Sequence, residues 1–139
     1  MPTSSFGSEL RLATLRLARR IRQQRADDEL SPGQSGVLAL LDRIGPSTPA
    51  ALSTHEQVSP PSMNRTLNAL QTSGYVLRTP SGDDRRMVLV ELTEAGRDVV
   101  RQTRRRRDVW LEDRLGLLTD AERELLARAT PVIRKLTEQ

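Results

Sequence analysis

The sequence predicts a mainly α fold with one small β-hairpin, and three observations carry that prediction. Apolar residues at helical spacing fill both ends of the chain. Three short central segments each open on a polar cap followed by proline. One stretch near residue 80 switches to β-forming residues around a charged turn. The 139 residues fit one domain, and 36% hydrophobic with 29% charged residues is a globular balance, neither disordered nor membrane-embedded. With one Trp, one Tyr and one Phe, the core has to be Leu, Val, Ile, Ala and Met.

From Ser8 to about Arg25 the spacing predicts a helix with Leu10, Ala13, Leu17 and Ile21 on one face. Leu12 and Leu15 fall on roughly the opposite side at ~100° per residue, forming a second apolar patch. Either one patch faces the chain's own domain and the other a partner subunit, or the leucine pair is an ordinary surface feature. Ser31-Pro32-Gly33-Gln34 is a helix start with a capping box, followed by Val37, Leu38, Leu40, Leu41 and Ile44 as a largely buried helix that Gly45-Pro46 stops. Thr48-Pro49 opens a second short helix through about His55, and Ser59-Pro60 a third that runs to Thr72 and ends at Gly74.

Tyr75 to Thr79 and Met87 to Leu92 read as two strands, with Pro80 to Arg86 between them as a polar loop. Thr93 then caps a long helix, with Glu94 in its first turn where the helix dipole favours an anion. That helix carries Val99, Val100, Val109, Trp110 and Leu111 and ends before Leu115-Gly116-Leu117-Leu118. The last helix spans Thr119 to about Leu136 with Leu125, Ala129, Val132 and Leu136 on one stripe, and Pro131 is expected to kink it or end it early.

Helix, short helix, helix, hairpin is the order of a winged helix-turn-helix, in which the later helix of the pair enters the DNA major groove. Projected as a helix, Pro60 to Thr72 gathers Met63, Thr66, Leu67 and Leu70 on a buried side. Pro61, Asn64, Arg65, Asn68 and Thr72 fall on the other, where amide and guanidinium groups suit adenine and guanine edges. Ser59, Ser62 and free N–H groups of the first turn can meet a phosphate, although prolines 60 and 61 remove two donors. At the hairpin tip Arg85 and Arg86 suit a minor groove, with Asp83 and Asp84 either orienting them or forming exposed ion pairs of little worth.

These residues carry a family resemblance. Val58 to Thr93 resembles the MarR family of bacterial winged-helix transcription regulators, most specifically in Asp84-Arg85-Arg86 followed by Leu92-Thr93, that family's wing pattern. Arg65, the Leu70 to Gly74 helix end and the Leu30 to Leu41 segment agree with it, and the similarity extends over essentially the whole chain. The resemblance implies a winged helix-turn-helix with long N- and C-terminal dimerisation helices: residues 1–30 as the first of these, 31–92 as the DNA-binding region and 93–139 as the C-terminal pair. It implies a homodimer on a pseudo-palindromic operator, more often a repressor, released by a small aromatic acid or phenol. Carried over to this sequence, Pro61, Ser62, Asn64, Arg65 and Asn68 read bases, and Arg86 enters the minor groove with Asp84 orienting it. Asn68 departs from the acid that many members carry there, so a salt bridge from that position to the wing is not implied.

The charge distribution qualifies this picture. The formal net charge is +4, and of the twenty-two basic residues only Lys135 is a lysine. Residues 46–92 hold four arginines against four acids, whereas residues 1–30 hold six against four and residues 97–114 seven against four. The surplus therefore belongs to the expected dimerisation helices. Arg104 to Arg107 is expected to be solvated or paired with Asp108, Glu112 and Asp113, with phosphate contact as the alternative. Arg16 and Arg20 flank the apolar face of the first helix and either snorkel to solvent or meet the carboxylate of a ligand. Trp110 reads as dimer core or as one wall of a ligand pocket.

Other chemistries find little support. Zero cysteines exclude a disulfide framework, a thiol nucleophile, a thiol redox switch and thiolate-bound zinc. His55, the single histidine, reads as a surface or packing residue, and no metal or cofactor is expected. There is no phosphate-binding glycine loop and no Ser/His/Asp set at a supporting spacing, so no catalytic residue is assigned. A helical adaptor that has lost DNA binding is the alternative, but such a module has no need of Asn64, Arg65, Asn68 and Arg86. No apolar run approaches the roughly 20 residues of a membrane span and the start lacks signal-peptide character, so a cytoplasmic location is expected.

Overall fold

The computed structural model describes residues 2–81 and 84–138, with side chains described for 5–80 and 87–138. In order these form α1 (Pro2–Arg22), α2 (Pro32–Ile44), α3 (Pro49–Glu56), α4 (Pro60–Thr72), β1 (Val76–Ser81), β2 (Asp84–Leu92), α5 (Glu94–Leu115) and α6 (Asp120–Lys135). Packing divides the chain into two compact units, residues 1–107 and 108–139. No helix among the described residues is long and apolar enough to cross a membrane.

The helix starts follow local chemistry. Ser31 and Gln34 close a reciprocal capping box, with Ser31 Oγ accepting from Gln34 N at 3.0 Å and Gln34 Oε1 accepting from Ser31 N at 2.9 Å. Thr48 Oγ1 accepts from Ala51 N at 3.1 Å and Ser59 Oγ from Ser62 N at 3.2 Å. A proline in the first turn of α2, α3 and α4 removes an N–H that the helix does not use.

The core of the first unit is aliphatic. Leu38, Leu52, Met63, Leu67, Leu70, Val76 and Val90 are fully buried, which joins α2, α3 and α4 to the hairpin. β1 and β2 pair antiparallel from Val76 opposite Leu92 to Pro80 opposite Val88, and Ser47 adds a one-residue bridge to Val90. The hairpin therefore has a third, minimal strand. β2 also starts earlier than Met87: Asp84, Arg85 and Arg86, expected in the loop, belong to its backbone, because ladder pairing continues past Pro80 through a bulge.

The end of α4, the base of the hairpin and the start of α5 meet at one junction. Gly74, with φ of 83°, ends α4 in a Schellman arrangement in which Tyr75 N donates to Leu70 O and Gly74 N to Gln71 O. Thr93 caps α5, its Oγ1 accepting from Gly96 N at 3.0 Å and donating to Gly74 O at 2.6 Å, while Thr93 N donates to Tyr75 O at 3.0 Å. Gly96 is buried there, and a Cβ on it would lie 2.2 Å from Tyr75 O. The Tyr75 hydroxyl donates to Asp27 Oδ2 at 2.7 Å, tying the segment after α1 to the same point.

Several expectations need correction. Leu10 and Leu17 are exposed along with Leu12 and Leu15, so neither face of α1 packs on its own unit. Contact with the core begins later, at Ala26 and Leu30. Ile44 is exposed at the last turn of α2. Of the Arg104 to Arg107 run, Arg104 pairs with Asp42 at 2.9 Å, Arg106 donates to Arg25 O at 2.8 Å, and Arg107 donates to Gln24 O at 3.1 Å and Arg22 O at 3.3 Å. Arg22 O lies in the last turn of α1, where the helix leaves acceptors unsatisfied and its dipole favours a cation, and Gln24 and Arg25 belong to the segment that leaves the helix. Burial first, then repulsion from Arg25 and Arg22, lowers the Arg107 pKa from its ordinary value.

Within the second unit, Thr119 and Glu122 form a capping box at the start of α6, and hydrogen bonds from Thr119 hold the Glu122 carboxyl below its ordinary range. Pro131 lies inside α6 and does not end it, since the helix continues to Lys135. It forgoes the hydrogen bond its own nitrogen would donate. No residue of α6 is buried. The Arg114 guanidinium lies over the Trp110 ring, 5.1 Å from its centre.

Gly96→Ala is expected to destabilise the fold by about 1–3 kcal/mol through the clash with Tyr75 O, measured by urea unfolding; an unchanged midpoint would mean that α5 can back away freely. Tyr75 is the one tyrosine of the chain, so its phenol can be followed alone by ultraviolet absorbance. Its hydrogen bond to the Asp27 carboxylate raises its pKa, and burial adds to the effect. The native midpoint should therefore lie above 10.0 and fall in Asp27→Ala. Because the folded value is the raised one, the stabilisation is present below the unfolded pKa and is lost as pH rises through the folded one. A native midpoint at or below the unfolded one would break the Tyr75–Asp27 link.

Candidate nucleic-acid interface

The candidate interface is the free side of α4, and the apolar spacing of that helix decides which side is free. Met63, Leu67 and Leu70 are buried and Thr66 is half-buried, whereas Pro61, Asn64, Arg65, Asn68 and Thr72 are exposed. The division matches the one expected from the sequence. Side-chain amides and a guanidinium thus stand in solvent on a helix anchored from behind, which is chemistry suited to base edges in a major groove.

The opening turn of α4 differs from expectation. Ser59 is exposed and Ser62 half-buried, but no first-turn amide is left for a phosphate. Residues 60 and 61 are prolines, Ser62 N is taken by Ser59 Oγ, and Met63 N donates to Ser59 O at 2.9 Å. Only the two serine hydroxyls remain to meet an anion there.

A residue that the sequence did not single out touches this face. Arg78, on β1, donates from Nη2 to Asn68 Oδ1 at 2.9 Å and to the Asn64 carbonyl at 3.4 Å. The signal was available in strand alternation: Arg78 shares a face with buried Val76, so a charged residue points inward beside the helix, while Leu77 and Thr79 are exposed. Among the predicted wing residues, Asp84, Arg85 and Arg86 lie on the first residues of β2, and their side chains are outside the described residues.

The remaining predicted positions lie elsewhere. Arg16 and Arg20 are exposed on α1, and His55 is exposed near the end of α3. Among the described residues no three His, Cys, Asp or Glu side chains gather where a metal ion could be held. A small cleft opens between α2 and α5, lined by Leu38, Val99 and Val100, by the hydroxyls of Ser35 and Thr103, and by Arg104 and Arg107. Arg16 and Arg20 do not line it.

Comparison with known proteins agrees with this geometry. Residues 29–87 match the sequence profile of the MarR family. An HTH-type transcriptional regulator of Mycobacterium tuberculosis is 38% identical over 134 residues, covering 96% of this chain and 94% of its own. Among solved structures, a candidate transcriptional regulator from Pseudomonas aeruginosa superposes with a TM-score of 0.86 at 29% identity, over 99% of this chain and 97% of that one. A MarR family protein from Bacillus stearothermophilus shares the fold with a TM-score of 0.78 at 20% identity, over 99% of this chain and 96% of that one. With the winged helix-turn-helix built as described and a relative of this identity spanning nearly its whole length, the chain belongs to the MarR family of transcriptional regulators and is not an enzyme.

Proposed function

We propose that the protein is a sequence-specific repressor that acts in the cytoplasm as a homodimer on a pseudo-palindromic operator and is released by a small aromatic acid or phenol. The observation that carries the DNA-binding part is the polar face of α4, with Asn64, Arg65 and Asn68 exposed opposite the buried Met63, Leu67 and Leu70. Arg65 is assigned to guanine edges and Asn64 to an adenine or guanine edge. Ser59, Pro61 and Ser62 contact the duplex beside them, and Arg85 and Arg86 of the wing serve the flanking minor groove with Asp84 beside them. A solved structure of the same fold, FabT of Streptococcus pneumoniae, is a complex with DNA, at 22% identity and a TM-score of 0.63.

The dimer is supported by apolar surface that each unit leaves uncovered. On α1, Phe6 is 66% exposed and Leu15 53%, with Leu10, Leu12 and Leu17 exposed beside them. In the second unit, Leu117 is 79% and Leu125 66% exposed, and Leu126, Val132, Ile133 and Leu136 are exposed as well. Burying one such side chain fully contributes about 1.5–3 kcal/mol, so a second copy of the chain gains from covering both sets. The effector is placed between α2 and α5, beside Leu38, Val99 and Val100, where it would have to widen a small cleft and draw Arg104 from Asp42 or Arg107 from the carbonyls it holds. A ligand wedged there would alter how α5 carries the reading helix.

The test is a binding titration against the upstream intergenic DNA over a salt series, with random-sequence DNA as reference. Specific, salt-dependent binding is expected, and equal binding to random DNA would sink the reading. Arg86→Ala should weaken operator binding by about 1–3 kcal/mol, and Arg65→Ala should also relax base preference. Both variants binding as the parent does would remove the docking arrangement. Light scattering on the same protein should give a dimer, and an added aromatic carboxylate should raise the melting temperature and release the DNA. A monomer, or a ligand screen with no stabilising compound, would remove the corresponding part.

A further inference from the structure

Arg78 brings to the α4 face a charge that no carboxylate among the described residues pairs with. Both of its hydrogen-bond acceptors, Asn68 Oδ1 and the Asn64 carbonyl, are neutral. Among the described residues it enters no ion pair, and its Nε is buried without a partner. Two residues of α4 therefore hold a guanidinium in place while leaving its full positive charge, at the line where the helix meets β1.

The same contact decides what Asn68 can offer. With Oδ1 turned to Arg78, the amide presents Nδ2 and its two N–H donors to an outside group. Bidentate pairing with adenine uses the amide oxygen as well, to accept from the base. A guanidinium beside an amide N–H₂ is instead a donor-only pair, complementary to a phosphate oxygen. We infer that Arg78 and Asn68 form a phosphate clamp at the junction of α4 and the hairpin, which seats the helix on the duplex backbone while Asn64 and Arg65 read bases. The inference rests on the DNA-binding reading above and changes the role of Asn68 within it from base reading to backbone positioning.

The experiment measures binding of a random-sequence duplex and of the upstream intergenic duplex over a salt series, for the parent chain and for Asn68→Asp, Arg78→Gln and Arg78→Lys. Asn68→Asp keeps the shape and the acceptor of the amide and sets a negative charge against Arg78. One phosphate contact on B-form DNA contributes about 0.9 to the slope of log affinity against log salt. In Asn68→Asp and Arg78→Gln that slope should fall by about this amount on both duplexes, leaving the ratio of specific to random binding unchanged. Arg78→Lys, which keeps the charge, should hold the parent slope. Circular dichroism melting reports whether each variant folds, and the lysine variant reads the same contact should the glutamine variant unfold. Asn68→Asp with the parent slope, or with loss confined to the intergenic duplex, overturns the clamp while the DNA-binding reading stands. A parent chain with no salt-dependent binding to either duplex overturns both.

Discussion

Burial of one side of α4 is the constraint on which the rest depends. Met63, Leu67 and Leu70 are held by Leu38, Leu52, Val76 and Val90, all aliphatic, in a core that contains no fully buried aromatic ring. A helix clamped along that stripe has no rotational freedom left, so Asn64, Arg65 and Asn68 must face outward. The junction at Tyr75 then fixes the helix end in space: Tyr75 N claims Leu70 O, Thr93 claims Tyr75 O and Gly74 O, and the bare Cα of Gly96 lets the start of α5 come close enough for that. Packing and hydrogen bonding thus act on the same thirteen residues from opposite ends.

What the sequence made legible was local. The caps at Ser31, Thr48, Ser59, Thr93 and Thr119 depend on residues within three positions of each other, and the two faces of α4 depend on a 3.6-residue period. The partners of Arg104, Arg106, Arg107 and Arg78 were not legible, because each bond spans a separation along the chain that periodicity does not encode. The expected partners of the arginine run, Asp108, Glu112 and Asp113, were simply its nearest acids. The early start of β2 was hidden because Asp, Gly and Pro look like turn residues even where ladder pairing continues. Of the two outcomes expected at Pro131, an early end does not occur: a lost hydrogen bond is a cost, and the helix runs on to Lys135.

The arginines of this chain divide into two kinds of work. Arg104, Arg106 and Arg107 on α5 hold the fold together, fastening the end of α1 and the turn after it and pairing with Asp42 on α2, so part of the basic surplus is structural. On the reader, Arg78 is held by two neutral acceptors, Asn68 Oδ1 and the Asn64 carbonyl. Net charge was consequently a poor guide to where a polyanion would sit, and the position of single guanidinium groups a better one.

The sealed first turn of α4 has a consequence for how a binding preference can change. Many helices that meet phosphates do so through main-chain N–H groups, which every residue type but proline supplies. Here the backbone from Pro60 to Met63 has nothing left to give, so at this turn the contact with a polyanion is left to side chains. Those that do not cap the helix, Asn64 and Arg65 among them, can be exchanged by one codon without disturbing the helix beneath. A family of such chains could drift from one target sequence to another by small steps, its scaffold remaining constant while the text it reads is revised.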